Sequence, residues 1–264
     1  MLFEHITSKT NDKIKRVCLL NHSASARKEQ GAFVLEGLRL CRDAAQNGIA
    51  ISEMYFTESV YKKHTEDVEL LLSKSQKGYC VSAEVMNKIS DTESSQGIVC
   101  LIDFDALDEH NNIDCKGKYI ACENLNDPSN LGAIARTAEA LGLSGLILIG
   151  NCCDAYNPKS LRASMGALLR LPTFKFSTPD DINSECKTQN MRLVGSVVRG
   201  QSVEIKSFDF KSGDIVVIGN EANGMTDELI SMCDSCVTIE IKGRAESFNA
   251  AVAASIIMWE LSAE

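Results

Sequence analysis

Short apolar runs alternate with amphipathic stretches along this chain, and the alternation is cleanest beyond residue 117. There the runs at 119–125, 145–149, 193–198, 215–219 and 236–241 have strand length and read as buried strands. Helical periodicity falls between them at 128–141, 158–168, 225–233 and 248–262. Repeated strand–helix–strand units predict an α/β domain, a parallel sheet with helices on both faces. In such sheets, ligands bind beyond the carboxyl ends of the strands. The first part carries a smaller α/β pattern, with strands expected at 32–35, 53–57, 79–81 and 97–102 and helices at 36–46 and 66–74. Residues 103–116 are acidic, polar and aperiodic, which suits a linker. The predicted division is therefore 1–102, linker 103–116, and 117–264.

Composition narrows the class. With 264 residues the chain can build two cores, and 44% hydrophobic with 24% charged residues fits a soluble globular protein. Its start lacks the apolar stretch of a secretory signal, and no run approaches the ~18–20 apolar residues that span a bilayer. A cytoplasmic protein without membrane contact is expected. The net charge of −9 argues against holding nucleic acid by bulk electrostatics. Residues 1–42 are the exception, with eight Lys/Arg against four acids. Arg27 and Lys28, just ahead of Phe33, are the candidate RNA contacts there. The eleven cysteines are scattered, many within apolar runs, and read as small buried hydrophobes. Cys233 and Cys236 stand at ligand spacing but lack a second pair, whereas a zinc site needs about four ligands, so no metal is expected.

Three strand ends carry polar motifs. The first runs from Glu123 through Asp127, Pro128, Asn130, Gly132 and Arg136 to Gly142. Asp127 fits an N-cap, Pro128 the first helical position and Gly142 the C-terminal cap. Ile134, Ala138 and Leu141 form an apolar stripe, from which Arg136 points away, ~200° around the axis from Ile134. By itself this is an ordinary capped helix with a surface arginine. The second motif, Gly219-Asn220-Glu221 with Gly224, follows a buried strand, where a tight glycine lets a ligand approach the backbone. It is not a Walker loop, and the chain has no Gly-x-Gly-x-x-Gly. The third follows Ile239-Glu240-Ile241, where Ser247 or Asn249 caps a helix rich in small residues.

In this order and spacing the motifs resemble those of the SpoU–TrmH family of SPOUT RNA ribose 2′-O-methyltransferases. Asn157-Pro158-Lys159 through Arg162 to Ser164-Met165-Gly166-Ala167 looks like that family's intermediate segment. Upstream, Arg27 to Gly37 and Ser95-Gln96-Gly97-Ile98 look like the substrate-binding module that many members carry. The resemblance implies a small N-terminal α/β substrate-binding domain and a C-terminal α/β knot, a trefoil-knotted parallel sheet that binds S-adenosylmethionine. It places the cofactor on Gly219, Ile239, Phe248 and Asn249, with Asn130, Arg136, Glu221, Ser247 and Asn249 as the catalytic set. Asn130 and Asn249 would orient the site, Ser247 would contact phosphate or substrate, and Glu221 would hold either the arginine or the loop. Phe248 stands where the family usually has leucine, and 239–241 lacks the common proline. No metal is required.

The reaction so implied needs a ribose hydroxyl activated or well positioned. The four histidines are His5, His22, His64 and His110, so the C-terminal half offers none as base. A guanidinium, with a pKa above ~12, is a very weak base, so Arg136 is expected to work by positioning RNA phosphate and stabilising charge. Ribosomal RNA is the preferred substrate, with transfer RNA the alternative and a non-catalytic RNA-binding protein a second one. A homodimer through the C-terminal domain is expected, with Ile256, Ile257, Met258 and Trp259 offering the contact.

Overall fold

A computed structural model describes residues 3–107, 112–198 and 200–263. These form two compact units, 3–107 with 156–169, and 112–155 with 170–263. Residues 108–111 of the predicted linker lie outside the described residues. Among the described residues no helix is long and apolar enough to cross a membrane.

The first unit runs β1 (Glu4–Ile6), α1 (Asp12–His22), α2 (Ala24–Gln30), β2 (Ala32–Glu36), α3 (Leu38–Gln46), β3 (Ile51–Thr57), α4 (Glu58–Lys63), α5 (Thr65–Ser73), β4 (Ser75–Val81), α6 (Ala83–Ile89) and β5 (Ile98–Asp103). Its sheet has the order β1-β4-β3-β5-β2, with only β5 antiparallel to its neighbours. β2 lies at the edge, yet all five of its residues are buried. The reason is a segment from far along the chain. Tyr156 sets its ring, tilted by 34°, with its centroid 4.8 Å from that of Phe33, and α8 (Pro158–Ser164) follows it onto the strand. Arg162 of α8 bonds Asp91 at 2.6 Å and lies 3.8 Å from the Glu36 carboxylate. The helix expected at 158–168 is shorter, because Met165 (φ 52°) and Gly166 (φ 92°) take left-handed backbone and end it.

The second unit runs β6 (Tyr119–Glu123), α7 (Pro128–Ala140), β7 (Gly145–Ile149), β8 (Thr173–Phe176), α9 (Pro179–Gln189), β9 (Arg192–Ser196), β10 (Val203–Glu204), β11 (Asp214–Ile218), α10 (Asp227–Met232), β12 (Ser235–Thr238) and α11 (Ala250–Ser262). All seven strands are parallel, in the order β10-β12-β9-β11-β6-β7-β8. Alternate strand residues serve opposite faces. Tyr119, Ala121, Ile215 and Val217 join Ile182, Cys186 and Leu229 of α9 and α10 in one core. α7 and α11 pack against each other and the sheet. The chain leaves β6 towards β7 and β8, then returns to β6's other side with β9 and β11, so β6 marks a switch point where an open α/β sheet forms a ligand crevice.

Candidate active site

The site begins where β6 ends. Glu123 is buried and accepts from the Thr226 backbone N–H (2.8 Å) and hydroxyl (2.5 Å), fastening the loop after β11 beside the end of β6. Asn124 turns the chain with φ 51°. Asp127 then caps α7 by accepting from the Ser129 N–H at 2.9 Å, and Pro128 occupies the first turn. This start points Asn130 inward, 8% exposed, and leaves Arg136 on the outer face.

One chain of hydrogen bonds joins the three motifs. The Asn130 amide donates to Glu221 Oε1 at 3.0 Å, and the Asn249 amide donates to Asn130 Oδ1 at 3.1 Å. An ionised carboxylate only accepts, so Glu221 fixes which way the Asn130 amide faces. Glu221 also accepts from the backbone N–H groups of Asp127 (3.0 Å) and Asn126 (3.1 Å). Partial burial pushes its carboxyl up, but the bonds from Asn130, Asp127 and Asn126 outweigh this and hold it below the usual carboxylate range. It is therefore ionised at neutral pH and grips the loop, not Arg136. Asn249 completes the chain by capping α11, accepting from Ala251 (3.0 Å) and Val252 (3.3 Å). Of the two caps considered, Asn249 is the one used.

Other predicted residues stand differently. Arg136 and Ser247 are exposed, and Arg136 makes no hydrogen bond or ion pair among the described residues. β12 ends at Thr238, so Ile239 to Ile241 are loop, where a strand was expected. The ends of β11 and β12 are not neighbours either, because β9 lies between them. The Gly219 backbone admits no ligand from the side where its Cβ would stand. A Cβ there would lie 2.1 Å from Gly224 C and Met225 N, so the protein's own chain fills that space. Asn220 is a site-building residue that the motif reading passed over. Its side chain accepts from Ala222 (2.9 Å) and Asn223 (3.2 Å) and donates to the Asn124 carbonyl at 2.7 Å. An asparagine before a glycine-containing loop is the signal that could have found it.

Arg27 leaves the candidate RNA-binding set. It is 2% exposed, and its guanidinium donates to the Leu20 and Asn21 carbonyls (3.2 Å to Asn21), where α1 ends and its last C=O groups lack helical partners. Arg27→Ala should therefore destabilise the fold by roughly 1.5–3 kcal/mol, the usual worth of a hydrogen bond to a charged group. A thermal melt checks this, and RNA affinity of the folded protein should not change. Lys28 is exposed.

Among the described residues the strand-end loops of the site carry no histidine, and burial pushes the nearby Cys153 thiol up to about 12. Among the described residues no three His, Cys, Asp or Glu side chains are grouped to hold a metal. What the site offers is backbone. Among the described residues, no N–H or C=O of 239–248 bonds another backbone group, and Phe248 is 40% exposed. A run of unpaired donors and acceptors beside an aromatic ring fits a nucleoside-bearing cofactor such as S-adenosylmethionine.

The parallel sheet, its strand-end loops tied by Glu221, Asn130 and Asn249, has the fold of the SPOUT methyltransferases, as its likeness to solved SpoU methyltransferases shows. The SpoU rRNA Methylase family model matches residues 117–259, over half of the chain, and the chain belongs to that family. Residues 11–100 match the MRM3-like substrate binding domain. An uncharacterized tRNA/rRNA methyltransferase of Synechocystis sp. is 30% identical, covering 97% of this chain and 92% of that protein. The 23S rRNA (uridine(2479)-2′-O)-methyltransferase of Streptomyces viridochromogenes is 28% identical over 97% of this chain and 90% of its own. Among solved structures, the AdoMet-bound rRNA methyltransferase from Sinorhizobium meliloti superposes with a TM-score of 0.87 at 27% identity, covering 98% of this chain and 97% of that one.

Proposed function

We propose that this chain transfers the methyl group of S-adenosylmethionine to a ribose 2′-hydroxyl of ribosomal RNA in the cytoplasm. The Glu221–Asn130–Asn249 link carries the reading, since it gathers three motifs separated by up to 119 residues into one polar site. The relatives named for rRNA 2′-O-methylation support rRNA over tRNA. The cofactor supplies an electrophilic methyl group when bound. The backbone at Gly219, Ile239 and Phe248, with Asn249, holds it, and the trefoil knot of the family supplies that arrangement. Arg136 anchors the RNA phosphate and stabilises charge developing at the ribose oxygen, while Ser247 contacts the RNA from the loop. Asn130 and Glu221 keep the loop after β6 in place for that encounter. Lys28 adds an outer RNA contact, residues 1–102 serve RNA recognition, and residues 117–264 serve methyl transfer.

Purified protein given tritiated S-adenosylmethionine and protein-free rRNA should place label on ribose 2′-oxygens, with EDTA without effect. Label on a base would overturn the assignment.

The reading includes a homodimer through the C-terminal unit. Of the four residues expected at its contact, Ile257 and Met258 are instead buried within the protomer; Trp259, 67% exposed, keeps that role and is joined by Val252, 47% exposed one heptad earlier on α11. Light scattering should give twice 28.8 kDa, and Trp259→Glu should shift it towards the monomer.

A further inference from the structure

The first unit contains an open cavity of about 820 Å³, lined in part by Arg39, Arg42, Lys63, His64, Asn87 and Gln96. We propose that this groove binds an unpaired stretch of the RNA substrate, with phosphates on Arg39 and Lys63 and a nucleobase edge on Gln96. The proposal deepens the rRNA methyltransferase reading and rests on it.

Charge is the first argument. A chain of net charge −9 repels RNA on average, so contact depends on local cations without partners. Arg39 and Lys63 meet that condition, being exposed and making no hydrogen bond or ion pair among the described residues. The acids of the groove are engaged. Asp67 pairs with Arg42 at 2.9 Å, and Asp43 also has a partner.

The groove is also built. Two of the motifs that resemble the substrate-binding module meet at its wall, for the Gly37 N–H bonds the Ile98 carbonyl at 3.1 Å and Gln96 Oε1 accepts from the Leu38 N–H at 3.0 Å. Gly37 (φ 99°) and Gly97 (φ 78°) both take left-handed backbone. A Cβ on Gly97 would come 2.7 Å from Thr57 Oγ1, and one on Gly37 would come 3.1 Å from Gln96 Oε1. Gln96 is thereby held with its oxygen occupied and its NH₂ donors free for an acceptor on a base. α3 begins there without a side-chain cap, and among the described residues the N–H groups of Arg39 and Leu40 have no protein partner. These donors add to the field that the two cations present to phosphate.

Unpaired RNA fits this chemistry better than a duplex. Single strands can splay a base into a pocket for hydrogen bonding, whereas the grooves of an A-form helix are read mostly by shape. A cavity of this size lies within the ~300–1,000 Å³ usual for ligand sites.

The test uses the full chain, with Arg39→Ala/Lys63→Ala beside Lys74→Ala, an exposed lysine outside the groove. Affinity for protein-free 23S rRNA is measured across a salt series. The double variant should bind about tenfold more weakly at low salt. Its log–log salt slope should be shallower by roughly 1.5, because each single-strand phosphate contact contributes about 0.7. Lys74→Ala should match wild type, and S-adenosylmethionine affinity and melting temperature should not change in either variant. Arg39→Lys/Lys63→Arg should restore the slope. Wild-type affinity and slope in the double variant would overturn the proposal, as would duplex RNA competing as well as single-stranded RNA. A wild-type chain that neither binds nor methylates rRNA would sink the functional reading itself, and the groove assignment with it.

Discussion

Arg136→Ala should lower single-turnover methyl transfer by about 10²–10³, the usual loss when one positioned electrostatic group leaves a transition state. The same variant should keep the wild-type melting temperature and S-adenosylmethionine affinity. Both expectations follow from its place on α7. The buried side of that helix is Leu131, Ile134, Ala135 and Ala138, so cutting back an exposed side chain opens no cavity. The strand-end loops are held together by Glu221, Asn130 and Asn249, none of which bonds Arg136. Arg136→Lys should rescue poorly, since an ammonium cannot make the planar two-pronged contact that a guanidinium makes with phosphate. If Arg136→Ala melts well below wild type, the residue is structural; if it methylates at the normal rate, its catalytic assignment fails.

Gly219→Ala is expected to damage fold and cofactor binding together. The added carbon would stand 2.1 Å from Gly224 C and Met225 N and 2.5 Å from Gly224 O, all backbone atoms that no rotamer change can move aside. The loop is not free to yield, because Asn220 and Gly224 exchange two backbone hydrogen bonds of 2.9 Å. Overpacking of this kind costs about 1–3 kcal/mol. A domain of this size loses about 2–4 °C per kcal/mol, so the melting temperature should drop by several degrees. Displacing the 219–225 loop should weaken S-adenosylmethionine by about tenfold or more by calorimetry. Gly243→Ala is the matched control. A Cβ there meets nothing within 4 Å, so it should melt as wild type does. Wild-type stability in Gly219→Ala would show that the backbone crossing relaxes easily.

These two residues also show how far the chain could be read before it was folded. Arg136 was legible because caps and helical period are local: Asp127, Pro128 and Ile134 orient α7 without reference to the rest of the protein. The same held for β6, β7 and β11, whose continuous apolar runs are what a strand buried on both faces requires. α9 leaves little helical periodicity in the sequence because only Ile182 and Cys186 face the core and the rest of its surface is polar. Ile239 to Ile241 show the reverse error, since apolar residues that suit a strand end up in the loop beyond β12. Composition likewise set Arg27 beside Lys28 as two equal cations, yet one is buried on helix-end carbonyls and the other faces water. Local pattern thus determined which segments become strands and helices and which polar residues sit at their ends. Only the tertiary structure decided that β9 separates β11 from β12, that residues 156–169 cover β2, and that Gly219 makes room for Gly224. Each of these depends on contacts between residues far apart in the chain, and such contacts leave no periodicity in the segments that make them.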